Sequence, residues 1–240
     1  MEPVTILCMK WGSKYGPEYV NNLHNMVRRH LRRPHRFVCL TDDPGGIQQG
    51  VDCLPIPELQ LPPNSPERGW TKLVTYTTPL YDIRGTVLFL DLDLLVVDAI
   101  DCLFEPEGAF MIIKDWVKRG VTGNSSVYRF QAGAHPDVLD YFRAHFPEIR
   151  RRFRNEQEFL SDFLARQGKL RYWPAEWCRS FKHHCIRKGL AAWIRPPQQP
   201  PGARIVVFHG KPNPPDAVLG RGGKWYRPVL PAPWVAEHWR

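Results

Sequence analysis

The chain lacks several things that would have decided its class at once. No run of apolar residues approaches the roughly 18 that a membrane-spanning helix needs, so a helical membrane span is excluded. The six cysteines (Cys8, Cys39, Cys53, Cys102, Cys178 and Cys185) form no C-x-x-C pair. That spacing argues against a zinc ribbon or a dithiol redox site, and several of them fall in apolar runs, so buried reduced thiols are expected. Internal repeats are absent. The N-terminal MEPVTILCMKW has no basic n-region, long apolar core or small-residue cleavage site, and the expectation is a cytoplasmic chain without a signal peptide. Acidic excess is missing too: 33 Lys+Arg against 24 Asp+Glu leave a net charge of +9. A basic balance suits nucleic acid, an anionic membrane face or a phosphorylated substrate, and composition does not choose among them.

What the chain does have is proline, 24 of 240 residues. This is about twice the usual ~5% and argues against a helical bundle. The hydrophobic fraction of 43% suffices for a sizeable core, and the length favours one domain at about 100–200 residues per domain.

Val4 to Met9 is short and apolar apart from Thr5, and reads as a strand buried on both faces. Gly16-Pro17 opens a helix whose Val20, Leu23, Val27 and Leu31 recur at helical spacing. Arg28, Arg29, Arg32 and Arg33 crowd its end, and Pro34 stops it. Phe37 to Leu40 is a second strand, and this β-α-β start implies a parallel sheet with a right-handed crossover. Residues 42–69 read as loop. Trp70 to about Thr78 reads as a short helix and Val87 to Leu90 as the most apolar strand. Further strands are expected near 109–113, 126–130 and 205–208, with a helix over 136–145. Asn155 should cap another helix, with Glu158 completing a capping box and Gly168 ending the helix. The stretch from Pro196 on holds ten prolines and Trp225, Trp234 and Trp239. Too aromatic for a disordered tail, it is expected to wrap the domain in extended form.

The chemistry concentrates at three places. Asp91-Leu92-Asp93 follows the strand Val87 to Leu90, where open α/β sheets bind ligands. Two carboxylates there repel each other, and a divalent cation or a sugar hydroxyl relieves the conflict. His209-Gly210-Lys211-Pro212 also follows an apolar strand and offers an imidazole and an ammonium. Lys72 stands near the start of the short helix after Trp70. A metal and lysines are the groups that neutralise a departing diphosphate.

The run Trp70-Thr71-Lys72-Leu73, then Val87 to Asp93, then Ile100-Asp101-Cys102-Leu103-Phe104 resembles the glycogenin-like glycosyltransferases of family 8, in their bacterial type. The resemblance is strongest over 70–104 and extends over about 4–212. It implies an α/β chain with a single GT-A (Rossmann-like) domain over residues 1–240. That domain has a mostly parallel central sheet: a nucleotide-binding half over 1–130, an acceptor and sugar half over 131–212, and a proline-rich extension over 213–240. By the same resemblance Asp91, Asp93 and His209 would hold Mn²⁺ or Mg²⁺. Tyr15, Lys72, Asp91 and Lys211 would bind a UDP-sugar, and Asn124, Glu156 and Gln157 would face the transferred sugar. The sequence departs from the family at Glu156, where an aspartate is usual, at Ser126, where glycine is usual, and in the shortened His209-to-Pro212 motif.

The expected activity is therefore metal-dependent, retaining hexosyl transfer to a saccharide, lipid-linked or protein acceptor, as in polysaccharide biosynthesis. Nucleic acid is not an expected partner, and the arginine clusters suggest peripheral contact with an anionic inner membrane face. Two rival readings are a haloacid-dehalogenase-like phosphatase using Asp91 and Asp93, and a basic RNA- or membrane-surface-binding protein. The first is disfavoured because its motif usually ends the first strand.

Overall fold

Val4–Lys10 (β1) sends alternate side chains to two buried faces, and this alternation divides the core. Ile6 and Cys8 pack with one apolar cluster, Leu7 and Met9 with another. In Thr86–Leu90 the split repeats, with Leu88 and Leu90 on the first side and Val87 and Phe89 on the second. A strand wholly buried on both faces shows no polar alternation in its sequence, as the uninterrupted apolar runs require.

The computed structural model describes residues 2–62 and 69–240. After β1 come Pro17–His30 (α1), His35–Thr41 (β2) and Asp52–Leu54 (β3). A 3₁₀ helix, Thr71–Tyr76, leads into Thr86–Leu90 (β4) and Leu94–Val96 (β5). Phe110–Lys114 (β6) and Gly123–Gln131 (β7) precede three helices, Pro136–Ala144 (α2), Phe146–Arg152 (α3) and Glu156–Arg166 (α4). Leu170–Tyr172 (β8), Cys178–Ser180 (β9) and a π-helical turn, Phe181–Cys185, follow. The chain ends through Ala191–Ile194 (α5), Ile205–Val207 (β10), Pro214–Val218 (α6) and Pro233–His238 (α7).

Among the described residues the main sheet has the order β3-β2-β1-β4-β7-β6-β8. β3, β2, β1 and β4 run parallel, and β7 is antiparallel to both of its neighbours. This is the mostly parallel α/β sheet that the sequence implies. A second sheet, β5-β10-β9, joins β5 antiparallel to β10. One face of the main sheet packs on α1 and the second sheet, the other on the 3₁₀ helix and α2–α4. Each fully buried large aliphatic side chain contributes about 1.5–3 kcal/mol of transfer free energy to this arrangement.

The structure corrects several expectations. Asp52–Leu54 lies within the stretch read as loop, yet it pairs with β2 (Cys39 opposite Cys53). Three residues are too few to show a period, and the open edge of β2 makes the strand. Residues 63–68 of that stretch lie outside the described residues. The capping box at α4 is half formed: the Asn155 side chain accepts from the Glu158 amide at 3.3 Å. The Glu158 carboxylate turns instead to the Arg154 amide (2.8 Å), the Arg154 guanidinium and Lys118 (2.7 Å). These partners outweigh the opposing effect of burial and hold its carboxyl near 2.

The C-terminal stretch wraps the domain, as its tryptophans suggest, but with two short helices rather than in wholly extended form. Trp239 meets Tyr19 of α1 edge-on at 5.0 Å. Arg29 donates to the carbonyls of His238 (2.6 Å) and Arg240. Arg152 and Arg166 pair with Asp162. Part of each arginine cluster thus works inside the molecule. All six cysteines are free thiols, four of them buried. No helix among the described residues is long and apolar enough to cross a membrane.

Candidate active site

Asp91-Leu92-Asp93 is where the chain leaves one sheet for the other. The Asp91 amide still donates to the Ser126 carbonyl at 2.8 Å, extending the ladder between β4 and β7. The Asp93 carbonyl already accepts from the Phe208 amide at 2.8 Å, beside β10. Leu92 is buried between them. Anchored on both sides, the two aspartates line one cavity of about 200 Å³ together with Trp11, Lys14, Tyr15 and Lys72. Trp11, Lys14 and Tyr15 lie on the loop after β1, the neighbour of β4, so the cavity opens at the carboxyl ends of adjacent parallel strands.

The Lys72 ammonium bridges both oxygens of Asp91, at 2.6 Å and 2.8 Å, and also donates to the Ser125 carbonyl at 3.3 Å. Burial pulls the Lys72 pKa down, but Asp91 and Glu156 outweigh it, and the net displacement is upward. Lys72 is therefore a fixed positive charge at neutral pH. Among the described residues Asp93 forms no ion pair, and Lys14 and Lys72 act on it only through space. Burial and the negative charge of Asp91 push its carboxyl up to about 6, while the hydrogen bond from Tyr15 Oη to Asp93 Oδ2 (2.7 Å) works in the opposite direction. Burial and the same carboxylate raise the Tyr15 phenol.

Asn124, Glu156 and Gln157 come together around Ser125, beside this cavity. Ser125 Oγ donates to Glu156 Oε1 at 2.6 Å, and its amide donates to Gln157 Oε1 at 3.4 Å. The Ser126 amide donates to Asn124 Oδ1 at 3.1 Å. Asn124 and Ser125 come from β7, Glu156 and Gln157 from the first turn of α4. Lys72 ties the two groups together, since it touches Ser125 as well as Asp91.

His209 sits elsewhere in the polar network. Its Nε2 is 2.6 Å from Ser180 Oγ, and its ring stacks between Trp116 (5.6 Å) and His183 (5.5 Å). Burial, Lys182 and His183 lower its pKa to about 4, so the imidazole is neutral at pH 7. Among the described residues no three His, Cys, Asp or Glu side chains converge in ligating geometry. The chemistry of Asp91 and Asp93 fits a hard divalent cation: two carboxylates share one rim, and the Asp93 carboxyl is destabilised as an anion by its neighbour. The Nε2 of His209 is engaged by Ser180 instead. Lys211 is exposed and lies in a second cavity, away from Lys72.

Sequence reasoning missed Trp11, Lys14, Ser180 and Lys182. The first two flank Tyr15 on a loop after a parallel strand, a position that could have flagged them. Ser180 ends a three-residue strand that leaves no pattern in the sequence.

No protein family and no curated protein matches the chain. Solved structures do. A galactosyltransferase, LgtC, in complex with donor and acceptor sugar analogs superposes with a TM-score of 0.60 at 14% identity, over 88% of each chain. An active-site mutant of LgtC gives a TM-score of 0.61 at 12% identity, over 88% of this chain and 89% of that one. The glycosyltransferase GlyE of Streptococcus pneumoniae gives 0.58 at 14% identity, over 88% of this chain and 56% of GlyE. The chain thus spans little more than half of GlyE but most of LgtC. At these identities the likeness shows the fold, which is the GT-A fold of these glycosyltransferases.

Proposed function

We propose that the chain transfers a hexosyl group from a UDP-sugar to an acceptor hydroxyl, with a divalent cation, Mn²⁺ or Mg²⁺, and with retention at the anomeric carbon. The observation that carries this reading is the sheet switch at Asp91-Leu92-Asp93, which puts two carboxylates, Lys72 and the aromatic loop of Trp11 and Tyr15 around one cavity.

Asp91 and Asp93 would hold the cation, with His209 as a third ligand once it leaves Ser180. Bound there, the cation supplies Lewis-acid neutralisation of the diphosphate leaving group. Lys72, kept charged by Asp91 and Glu156, adds positive charge fixed in place, which costs no reorganisation when the leaving group develops its own. Trp11, which is 43% exposed, and Tyr15 offer aromatic faces for the nucleobase. Gln157 and Asn124 orient the donor sugar, and Glu156, tethered by Ser125, keeps that shelf rigid. No side chain here is placed as an evident covalent nucleophile, so the reading includes no glycosyl-enzyme intermediate. The acceptor is a saccharide, alone or linked to lipid or protein.

The phosphatase alternative requires Asp91 as a nucleophile. Its carboxylate is instead bridged through both oxygens to Lys72. The test is a thermal shift. UDP with Mn²⁺ should raise the melting temperature of the wild type and leave Asp93→Ala unmoved. If no nucleotide with any divalent metal shifts the wild type, the reading fails.

A further inference from the structure

A second cavity, of about 390 Å³, lies beyond the Asp93–Phe208 junction. Lys182, Lys211, Lys224 and Arg227 line it, and no acidic side chain does. Among the described residues none of these four cations forms an ion pair with a carboxylate. Lys182 Nζ donates to the His209 carbonyl at 2.5 Å, and Arg227 donates to the Lys182 carbonyl. The loop from Leu219 to Val229 is laid against Pro212 so closely that a Cβ on Gly222 would come within 3.0 Å of Pro212 Cα, with a φ of +78° that also favours glycine. This loop brings Lys224 and Arg227 to the cavity and leaves Trp225 84% and Tyr226 57% exposed beside them.

The two linings separate this cluster from the donor. A diphosphate in the first cavity would meet a divalent cation and Lys72 there, and Lys72 does not line the second cavity. Lys182, Lys211, Lys224 and Arg227 are positive charges confined together, at an energetic cost unless an anion joins them. Arginine and lysine around a pocket suit phosphate oxygens, and exposed aromatic rings suit the apolar face of a sugar. Resting on the donor reading above, we infer that this cavity is the acceptor subsite for a phosphate-bearing saccharide, with Lys182, Lys224 and Arg227 gripping its phosphate and Tyr226 facing its ring. The phosphate can belong to a free sugar phosphate or to a lipid-linked one, since the chemistry is shared.

The test uses the full chain, saturated with UDP and Mn²⁺, titrated calorimetrically with glucose 6-phosphate and with glucose. The sugar phosphate should bind without displacing UDP, and glucose should not bind. Lys224→Glu alters an exposed side chain, so the fold should persist. It should weaken sugar phosphate binding by about tenfold or more, the size of a lost charge-assisted hydrogen bond. UDP affinity should stay within about twofold, and Lys224→Arg should restore binding. Two vesicle arms separate the sources. Vesicles bearing a phosphorylated-saccharide lipid should retain the wild type, and phosphatidylglycerol vesicles should not. Retention on the first but no binding of free glucose 6-phosphate would assign the site to lipid-linked phosphate. Retention on phosphatidylglycerol alone would make the cluster a membrane seat and overturn the inference. Competition between glucose 6-phosphate and UDP, or a tenfold loss of UDP affinity in Lys224→Glu, would make it part of the donor site and also overturn it. A wild type that binds no UDP with metal sinks the donor reading. A wild type that binds UDP but neither phosphorylated ligand sinks this one alone.

Discussion

Tyr15 donates its phenolic hydrogen to Asp93 Oδ2 at 2.7 Å, joining the loop after the first strand to the switch between the two sheets. The bond favours the charged carboxylate against burial and against Asp91. Tyr15→Phe removes that support, and the Asp93 carboxyl then titrates at higher pH. Metal-dependent UDP binding needs the carboxylate, so the pH at which half of it is lost should move upward. Titrating UDP plus Mn²⁺ binding across about pH 5–8 checks this. A variant whose profile coincides with the wild type would show that the hydroxyl does not tune Asp93.

Asp93→Asn should make the metal-free protein more stable and remove its function. The folded pKa of about 6 lies above the ordinary carboxylate value of 3.8. Between those limits the native state holds more protons than the unfolded one, so this group's contribution falls as pH rises. The gain from Asp93→Asn is therefore absent below about pH 4 and complete above about pH 6, reaching up to about 3 kcal/mol. Urea unfolding of both proteins at several pH values measures it. Metal-dependent UDP binding should vanish in the same variant.

Lys72→Met leaves the Asp91 carboxylate half-buried without its ion-pair partner and should destabilise the fold by about 3 kcal/mol. The double variant Lys72→Met/Asp91→Asn should recover most of that loss, since both charges are then gone. Unfolding midpoints of the two single variants and the double close the cycle. Equal losses in single and double variants would mean that Lys72 matters through packing alone.

Ser180→Ala tests how His209 reaches a metal. The hydroxyl holds Nε2 at 2.6 Å, and its removal takes away a bond that metal ligation would have to break. Mn²⁺ affinity should tighten by about fivefold, the equivalent of one net hydrogen bond of about 1 kcal/mol. Weaker affinity would show that Ser180 orients the imidazole for ligation instead.

Much of the fold is legible in the sequence wherever burial leaves a long signal. Val4–Lys10, α1 and Val87 to Leu90 announce themselves through apolar runs and helical spacing, and Asn155 caps its helix from one side chain. β3 and β9 do not, because three residues with no apolar run around them carry no pattern and their pairing depends on a partner distant in sequence, whereas the equally short β10 shows through the run Ile205 to Phe208. The capping box missed for a related reason. Glu158 has three donors competing for it, and one of them, Lys118, is brought there only by the folded chain.

For the site, the residue types are legible locally: paired aspartates after an apolar strand, a lysine near a helix start, and a histidine and lysine after a late strand. Those follow from local pattern and the cost of burying like charges. Which of them meet is set by the folded chain. The Asp91 amide stays on β7 while the Asp93 carbonyl passes to β10. Lys72 therefore neutralises one carboxylate and leaves the other to Tyr15, and His209 turns to Ser180. Lys211 goes with Lys182, Lys224 and Arg227 into a cavity of its own. These contacts join residues tens of positions apart, and their strength depends on burial and distance, which no local stretch of sequence encodes.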